Sequence, residues 1–355
     1  EFLNPQAVRW MKKHDLLKGL LDLHPYPIYG MKIHDLDGNS FTGRYRPDRE
    51  ICGYAVMREG FDTLLVRQAR GAGIRIYEGV RAERLLFDKS EVIGVRGTDS
   101  AGQQLDFTGS VLVGADGRNN LVGRTFNWVR EIRGFRKYAY QTYFEGVPNL
   151  SNYGEVHLVR GGYIGIAPLS EVLANVALVI DEKEHPGGDV DPKAFLQERI
   201  RQSSLAERFS GLEPIDTIMC AGPLAFETIK TTGHRTILVG DTCGFIDPFT
   251  GEGINQAFLS ADIAAVILDN AFKRQSFDDS FLRTYDVARR KLFSRKKAMN
   301  RLFQLAIPNP RLSQKLINRF SRNTDLGDTV VSAVGCALPV EDVWNLRFLL
   351  KLVFA

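Results

Sequence analysis

Cysteine is scarce in this chain: of 355 residues only Cys52, Cys220, Cys243 and Cys336 are cysteines, far apart and with no C-x-x-C pair. That spacing excludes a disulfide framework and a thiolate zinc site, and it is the usage of a reducing compartment. The six histidines are scattered with no H-E-x-x-H, so no metal centre is expected. No apolar run approaches the roughly 18 residues a spanning helix needs, and no leader pattern opens the sequence. A cytoplasmic protein is therefore expected. G-x-G-x-x-G is missing too: Gly71-Ala72-Gly73 lacks the third glycine, and Gly251-Glu252-Gly253 runs on to Gln256. Neither a Ser-His-Asp set nor a carboxylate pair stands out, so no side chain is singled out as catalytic.

What remains is ordinary globular material, 44% hydrophobic and 25% charged, with a formal charge of +4. The length fits two domains, or one α/β domain with an insertion. The charge is too mild to point to nucleic acid.

The informative stretch is 236–255. An apolar, β-branched run reads as a buried strand ending at Gly240-Asp241. A turn-rich loop follows with Pro248, Gly251 and Gly253, and then a helix whose apolar residues begin at Ile254, beside Asn255. Glycines at a helix entrance let a ligand approach the backbone, and the free N–H groups there favour negative charge. Asp241 stands where a parallel sheet presents ligands, as an acceptor for a polyol. A second strand ends in the same way at Gly114-Ala115-Asp116-Gly117.

These two segments resemble the flavin fingerprints of FAD-dependent monooxygenases and geranylgeranyl reductases, proteins similar to p-hydroxybenzoate hydroxylase. The run Asp247-Pro248-Phe249-Thr250-Gly251-Glu252-Gly253 carries most of the likeness. The resemblance implies that Asp241 holds the ribityl chain and that the following helix points its N-terminus at the flavin ring. It implies that Gly240, Pro248, Gly251, Gly253, Ile254 and Asn255 surround the ring. Arg58, in an Arg-x-x-Phe-Asp element, would lie beside FAD, and Asp116 and Gly117 would touch FAD and help receive NAD(P)H. Two departures are visible: Asn120 occupies the usual Ser position, and Gly123 the usual Arg, with Arg124 one place late.

The implied fold class is α/β: a Rossmann-like FAD-binding domain at 1–132 and 222–275, an antiparallel-sheet substrate domain at 133–221, and a helical region at 276–355. Asn4-Pro5 opens a helix expected to reach about residue 23, leaving no room before it for the first βαβ unit. The domain is thus expected to be N-terminally incomplete, with on the order of 40 further residues upstream. A hairpin is expected across 27–45 around Asp37-Gly38-Asn39, and a strand at 74–77. Strands at 137–144, 154–159, 163–168 and 174–180 alternate as an antiparallel sheet does. Tyr143, Phe144, His157, Tyr163 and Ile166 are candidates to line the substrate cavity beneath it. Helices are expected at 191–209, 254–271, 278–305, 310–322 and 325–337.

The function implied is NAD(P)H-driven hydroxylation of an apolar or aromatic small molecule. Reduction of a prenyl double bond is the alternative, and a non-catalytic remnant without a pyrophosphate seat is the third reading. The strand 163–168 lacks the W-x-W-x-I-P element of related halogenases, which disfavours halogenation. The basic run 289–297 reads as a solvated helix face, and the apolar 346–354 as a packed or interfacial helix. Through these C-terminal helices the chain would make any peripheral membrane contact.

Overall fold

The computed structural model describes residues 1–46, 52–132, 134–188, 190–306, 309–343, 345, 348 and 351. Its helices, in chain order, are α1 (Pro5–Lys13), α2 (Leu17–Leu21), α3 (Arg58–Gly71), α4 (Leu121–Thr125), α5 (Pro192–Arg201), α6 (Gly253–Arg274), α7 (Asp279–Ala306), α8 (Pro310–Arg322) and α9 (Thr324–Val334). The terminal stretch 346–354 lies outside the described residues apart from 348 and 351.

Asn4 caps α1, accepting from the Ala7 amide at 2.9 Å with Pro5 at the first helical position. The helix does not run on to residue 23. Asp15 takes a left-handed conformation (φ 57°), and the Leu16 amide reaches back to the Met11 carbonyl at 2.8 Å. That is a Schellman-type stop, which periodicity alone does not reveal. Likewise α5 ends at Arg201 rather than near 209, because the Ser203 hydroxyl takes the Ile200 carbonyl at 2.7 Å and competes with the helix ladder.

Two parallel strands, Leu112–Gly114 and Thr236–Leu238, pair with Val113 opposite Ile237, and Thr232–Gly233 adds an antiparallel edge. The strand expected at 74–77 does not form. Ile74 and Tyr77 are 58% and 55% exposed and find no ladder partner among the described residues. A four-residue run gains little as a strand without one. Arg81–Asp88, Glu91–Thr98 and Gln104–Thr108 form a separate antiparallel meander.

The largest sheet has seven strands, in the order Met219–Ala221, Lys137–Glu145, Leu173–Asp181, Gly162–Pro168, Gly154–Val159, Gly30–His34 and Ser40–Arg44. All its pairings are antiparallel except Gly154–Val159 with Gly30–His34. The early hairpin therefore belongs to the same sheet as the 133–221 strands. Alternation gives this sheet two apolar faces. Ile164, Ile166, Leu178 and Ile180 pack with Leu196 and Ile200 of α5. Val156, Leu158, Tyr163 and Val179 face the other way, toward Phe249. Helices α8 and α9 cover the hairpin end of the sheet, where Ile317, Phe320, Val330 and Val331 enclose Phe41. None of the described helices is long and apolar enough to cross a membrane.

Candidate functional site

The parallel pairing sets the two Gly/Asp turns side by side. The Val239 amide donates to the Gly114 carbonyl at 2.9 Å, and the Thr242 hydroxyl to the same oxygen at 3.1 Å. Asn120 ties the turns together: its Nδ2 donates to the Thr242 carbonyl at 2.8 Å, and its Oδ1 accepts the Gly123 amide at 2.8 Å. Asn in the usual Ser position thus still caps α4.

Gly240 has φ 62°, and its amide donates to Ser260 Oγ of α6 at 2.8 Å. A Cβ there would stand 3.5 Å from the Ala257 Cβ in a backbone conformation that disfavours it. The turn is thereby held close to the first turns of α6. Asp241 comes next, half-buried, its carboxylate oxygens about 4 Å from where Gly253 would carry a Cβ. Among the described residues nothing donates a hydrogen bond to it. Burial pushes its pKa above the usual carboxylate value, with Arg58 pulling partly the other way.

The loop between Asp241 and α6 is held by two buried ion pairs. Asp247 Oδ2 lies 3.0 Å from Lys137 Nζ, and its Oδ1 accepts from the Tyr163 hydroxyl at 2.7 Å and the Phe249 amide at 2.8 Å. Lys137 also donates to Gln304 Oε1. Glu252 lies 2.6 Å from Lys296 and accepts from Thr250 Oγ1 at 3.0 Å and Asn300 Nδ2 at 3.3 Å. Lys296 in turn donates to the Ala333 and Val334 carbonyls at 2.6 and 2.9 Å, closing the end of α9. Burial lowers the Lys296 pKa, with Cys336 acting the other way. Between these clamps Pro248 is left exposed, and Gly251 turns at φ 61°.

Together these elements wall a crevice of about 600 Å³, lined among others by Arg58, Gly117, Gly240, Asp241, Pro248, Gly251, Gly253 and Ile254. Eight of the ten expected cofactor contacts therefore share one space. Two do not line it. Asp116 is exposed and accepts the Leu121 amide at 2.7 Å, serving the start of α4. Asn255, one residue round the helix from Ile254, turns to Gln6 Oε1 at 3.0 Å and lines a separate groove. Arg58 makes a two-pronged pair with Asp62 at 2.9 and 3.2 Å.

A second cavity, of about 150 Å³, shares Pro248 and Gly251 with the crevice. Its floor is the sheet face bearing Tyr163, Gly165 and Ala167 opposite Val179, Ala177 and Asn175. An apolar extension of about 80 Å³ leads on from Met31, Val156 and Phe249 to Phe303, Leu316 and Val334. Of the expected substrate-lining residues, Tyr163 stands here with its hydroxyl committed to Asp247. Ile166 borders the cavity from the core beneath α5. Tyr143 instead donates to Glu1 Oε1 at 2.6 Å. Phe144 lies in the α5-side core. His157 faces away from the cavity, bonded to Glu155 at 2.9 Å and stacked on His34 with ring centroids 4.1 Å apart. Strand alternation decides His157, since its neighbours Val156 and Leu158 are the residues on the face toward Phe249.

Lys137, Lys296, Asn175 and Ala177 were not anticipated. Small residues recurring at every second position of two paired strands, Gly165-x-Ala167 and Asn175-x-Ala177, are a legible sign of free space. A lone lysine opening an apolar strand carries no comparable sign.

The FAD binding domain family model matches residues 46–299. The chain is 29% identical over 253 residues to a digeranylgeranylglycerophospholipid reductase of Methanothrix thermoacetophila, covering 69% of this chain and 62% of the relative. It is 22% identical to a 1H-pyrrole-2-carbonyl-[peptidyl-carrier protein] chlorinase of Pseudomonas fluorescens, covering 67% and 55%. The structure of pqsL, a probable FAD-dependent monooxygenase from Pseudomonas aeruginosa, superposes with a TM-score of 0.70 at 18% identity, over 88% of this chain and 87% of that one. The chain spans about three fifths of the length of the curated reductases it matches.

Proposed function

Because the chain belongs to the FAD binding domain family, we propose that it is an FAD-dependent oxidoreductase, a monooxygenase using NAD(P)H as reductant on an apolar or aromatic small molecule. One observation carries this reading: an unpartnered, half-buried carboxylate faces a bare helix N-terminus in a crevice that adjoins an apolar cavity at Pro248. The residues present fit the ring and sugar-alcohol part of FAD. Asp241 has acceptor capacity that no neighbour among the described residues uses, and the glycine turn leaves backbone exposed where a Cβ would intrude.

FAD, when bound, would supply the redox chemistry, carrying electrons from NAD(P)H to oxygen so that one oxygen atom enters the substrate and the other leaves as water. The chain's own contribution is placement. Asp241 accepts hydrogen bonds from the polyol, and the first N–H groups of α6 favour negative charge at the ring edge they face. Pro248 and Gly251 separate crevice from cavity, so a substrate on Gly165, Ala167 and Ala177 lies beside the ring in a largely apolar space. Asp247 and Glu252, each in a buried ion pair, anchor the loop that forms that partition.

Prenyl double-bond reduction is the second reading. It is supported by the reductase relatives and by the apolar extension beneath α8, which would suit a chain-like substrate. Halogenation is disfavoured: Gly165 stands on the cavity floor, whereas a W-x-W-x-I-P strand would crowd it with tryptophan. The discriminating experiment follows NADPH oxidation by the FAD-loaded protein in air and under argon, with indole and geranylgeraniol as probes. The monooxygenase reading expects turnover to need oxygen and ¹⁸O from O₂ to appear in the product. Saturation of geranylgeraniol under argon would replace it with the second reading.

A further inference from the structure

We propose that the corner between α7 and α8 docks onto an anionic lipid surface. Between Asp286 and Asp325 the chain has no Asp or Glu and eleven Lys or Arg. Part of that charge is used internally: Arg290 pairs with Asp286, Arg295 with Glu341 and Lys296 with Glu252. At the corner itself Arg311 and Lys315 are exposed, and no carboxylate pairs with them among the described residues, while Arg301 is exposed at the edge of the crevice. One carboxylate touches α8 nearby, Asp37, which accepts from Gln314 at 3.1 Å.

Beside those cations three leucines point outward. Leu302 and Leu305, one turn apart on α7, are 51% and 64% exposed, and Leu312 on α8 is 41% exposed. The same two helices turn Phe303, Ser313, Leu316 and Ile317 inward onto the apolar extension of the cavity. The outward leucines are thus surplus to the core, not a frayed part of it. Scattered exposed leucines are unremarkable, but exposed leucines next to exposed Lys and Arg on adjoining helices form the kind of surface that binds at the headgroup–acyl boundary. The cations meet lipid phosphates and the leucines enter hydrocarbon. A nucleic acid would satisfy the first half of that pattern and leave the leucines in water. The inference needs no flavin and stands or falls apart from the enzymatic reading.

The test is sedimentation of the full chain with vesicles of equal parts phosphatidylglycerol and phosphatidylcholine, against vesicles of phosphatidylcholine alone. Binding is expected only to the anionic vesicles, weakening as salt rises. Arg311→Gln and Lys315→Gln should each weaken partition about fivefold. Leu302→Ser and Leu305→Ser should each weaken it about tenfold, while Lys18→Gln on α2 leaves it unchanged. These side chains are exposed, so unchanged melting temperatures should accompany the losses. Absence of binding, or binding indifferent to the leucine substitutions, overturns the proposal. Displacement of the protein from vesicles by single-stranded RNA with the leucine variants unaffected would overturn it in favour of a nucleic acid.

Discussion

Asp241 and Asp247 stand on one loop and are treated in opposite ways. Asp247 is buried against Lys137, a tyrosine hydroxyl and a backbone amide. Asp241, half-buried at the end of the parallel strand, receives no hydrogen bond from the described residues, and burial raises its pKa. A carboxylate whose charge is met within the fold is part of the scaffold. One left half-exposed in a crevice, with no hydrogen-bond donor on it among the described residues, is an acceptor open to a ligand. The same division separates Glu252, clamped by Lys296, from the bare N-terminus of α6 beside it.

The contrast can be broken from the scaffold side first. Lys137→Met leaves Asp247 charged and buried without its cation, and should destabilise the protein by about 3–5 kcal/mol, read as a lowered melting temperature. Pairing it with Asp247→Asn should restore much of the loss, since the amide removes the unpaired charge and keeps an oxygen for the Tyr163 hydroxyl and the Phe249 amide. If the single variant melts like the parent, Asp247 is not the scaffold element described here.

From the ligand side, Asp241→Asn should weaken FAD binding by about tenfold to a hundredfold, the worth of a charged hydrogen bond. The unliganded protein should melt no lower than the parent. Fluorescence titration and melting of the same sample separate the two effects.

Gly251→Ala tests the turn between them. Its φ of 61° and a Cβ only 2.8 Å from Phe2 Cδ1 predict a loss of about 1–2 kcal/mol. Weaker flavin binding should accompany it, because Phe2 and Gly251 both line the crevice.

The smallest effect is a pH dependence. The Asp241 carboxyl has its pKa raised in the folded protein, so its contribution favours folding below the unfolded carboxylate range and is lost as pH rises through the folded value. The melting-temperature difference between Asp241→Asn and the parent should therefore be near zero at about pH 3 and positive by about pH 7. A difference that is constant across that range would mean that the carboxyl is not perturbed.

Much of this arrangement was legible in the sequence because it is local. Strand, Gly-Asp turn, glycine loop and the start of the helix occur within twenty residues, and the alternating strands of 137–181 follow one another directly along the chain. Asn120 as a cap could also be read, since the side chain bonds three residues ahead. Features set by pairing across the chain could not. Nothing near Lys137 announces Asp247, and nothing near His157 says which face of its strand meets α5. Asn255 was grouped with Ile254 by adjacency, yet adjacent helix positions point about 100° apart. The missing strand at 74–77 shows the same limit, because a strand is defined by its neighbour. Arg124, displaced by one place from the expected arginine, is exposed, and its guanidinium donates to the Arg118 carbonyl at 3.4 Å.

The most direct measurement is a titration of the protein with riboflavin, which carries the ring and the polyol and no phosphate. Saturable binding that Asp241→Asn weakens by about tenfold or more, with a melting temperature no lower than the parent's, is the predicted result. Riboflavin bound equally well by parent and variant would contradict the assignment of that carboxylate to the flavin's sugar-alcohol chain.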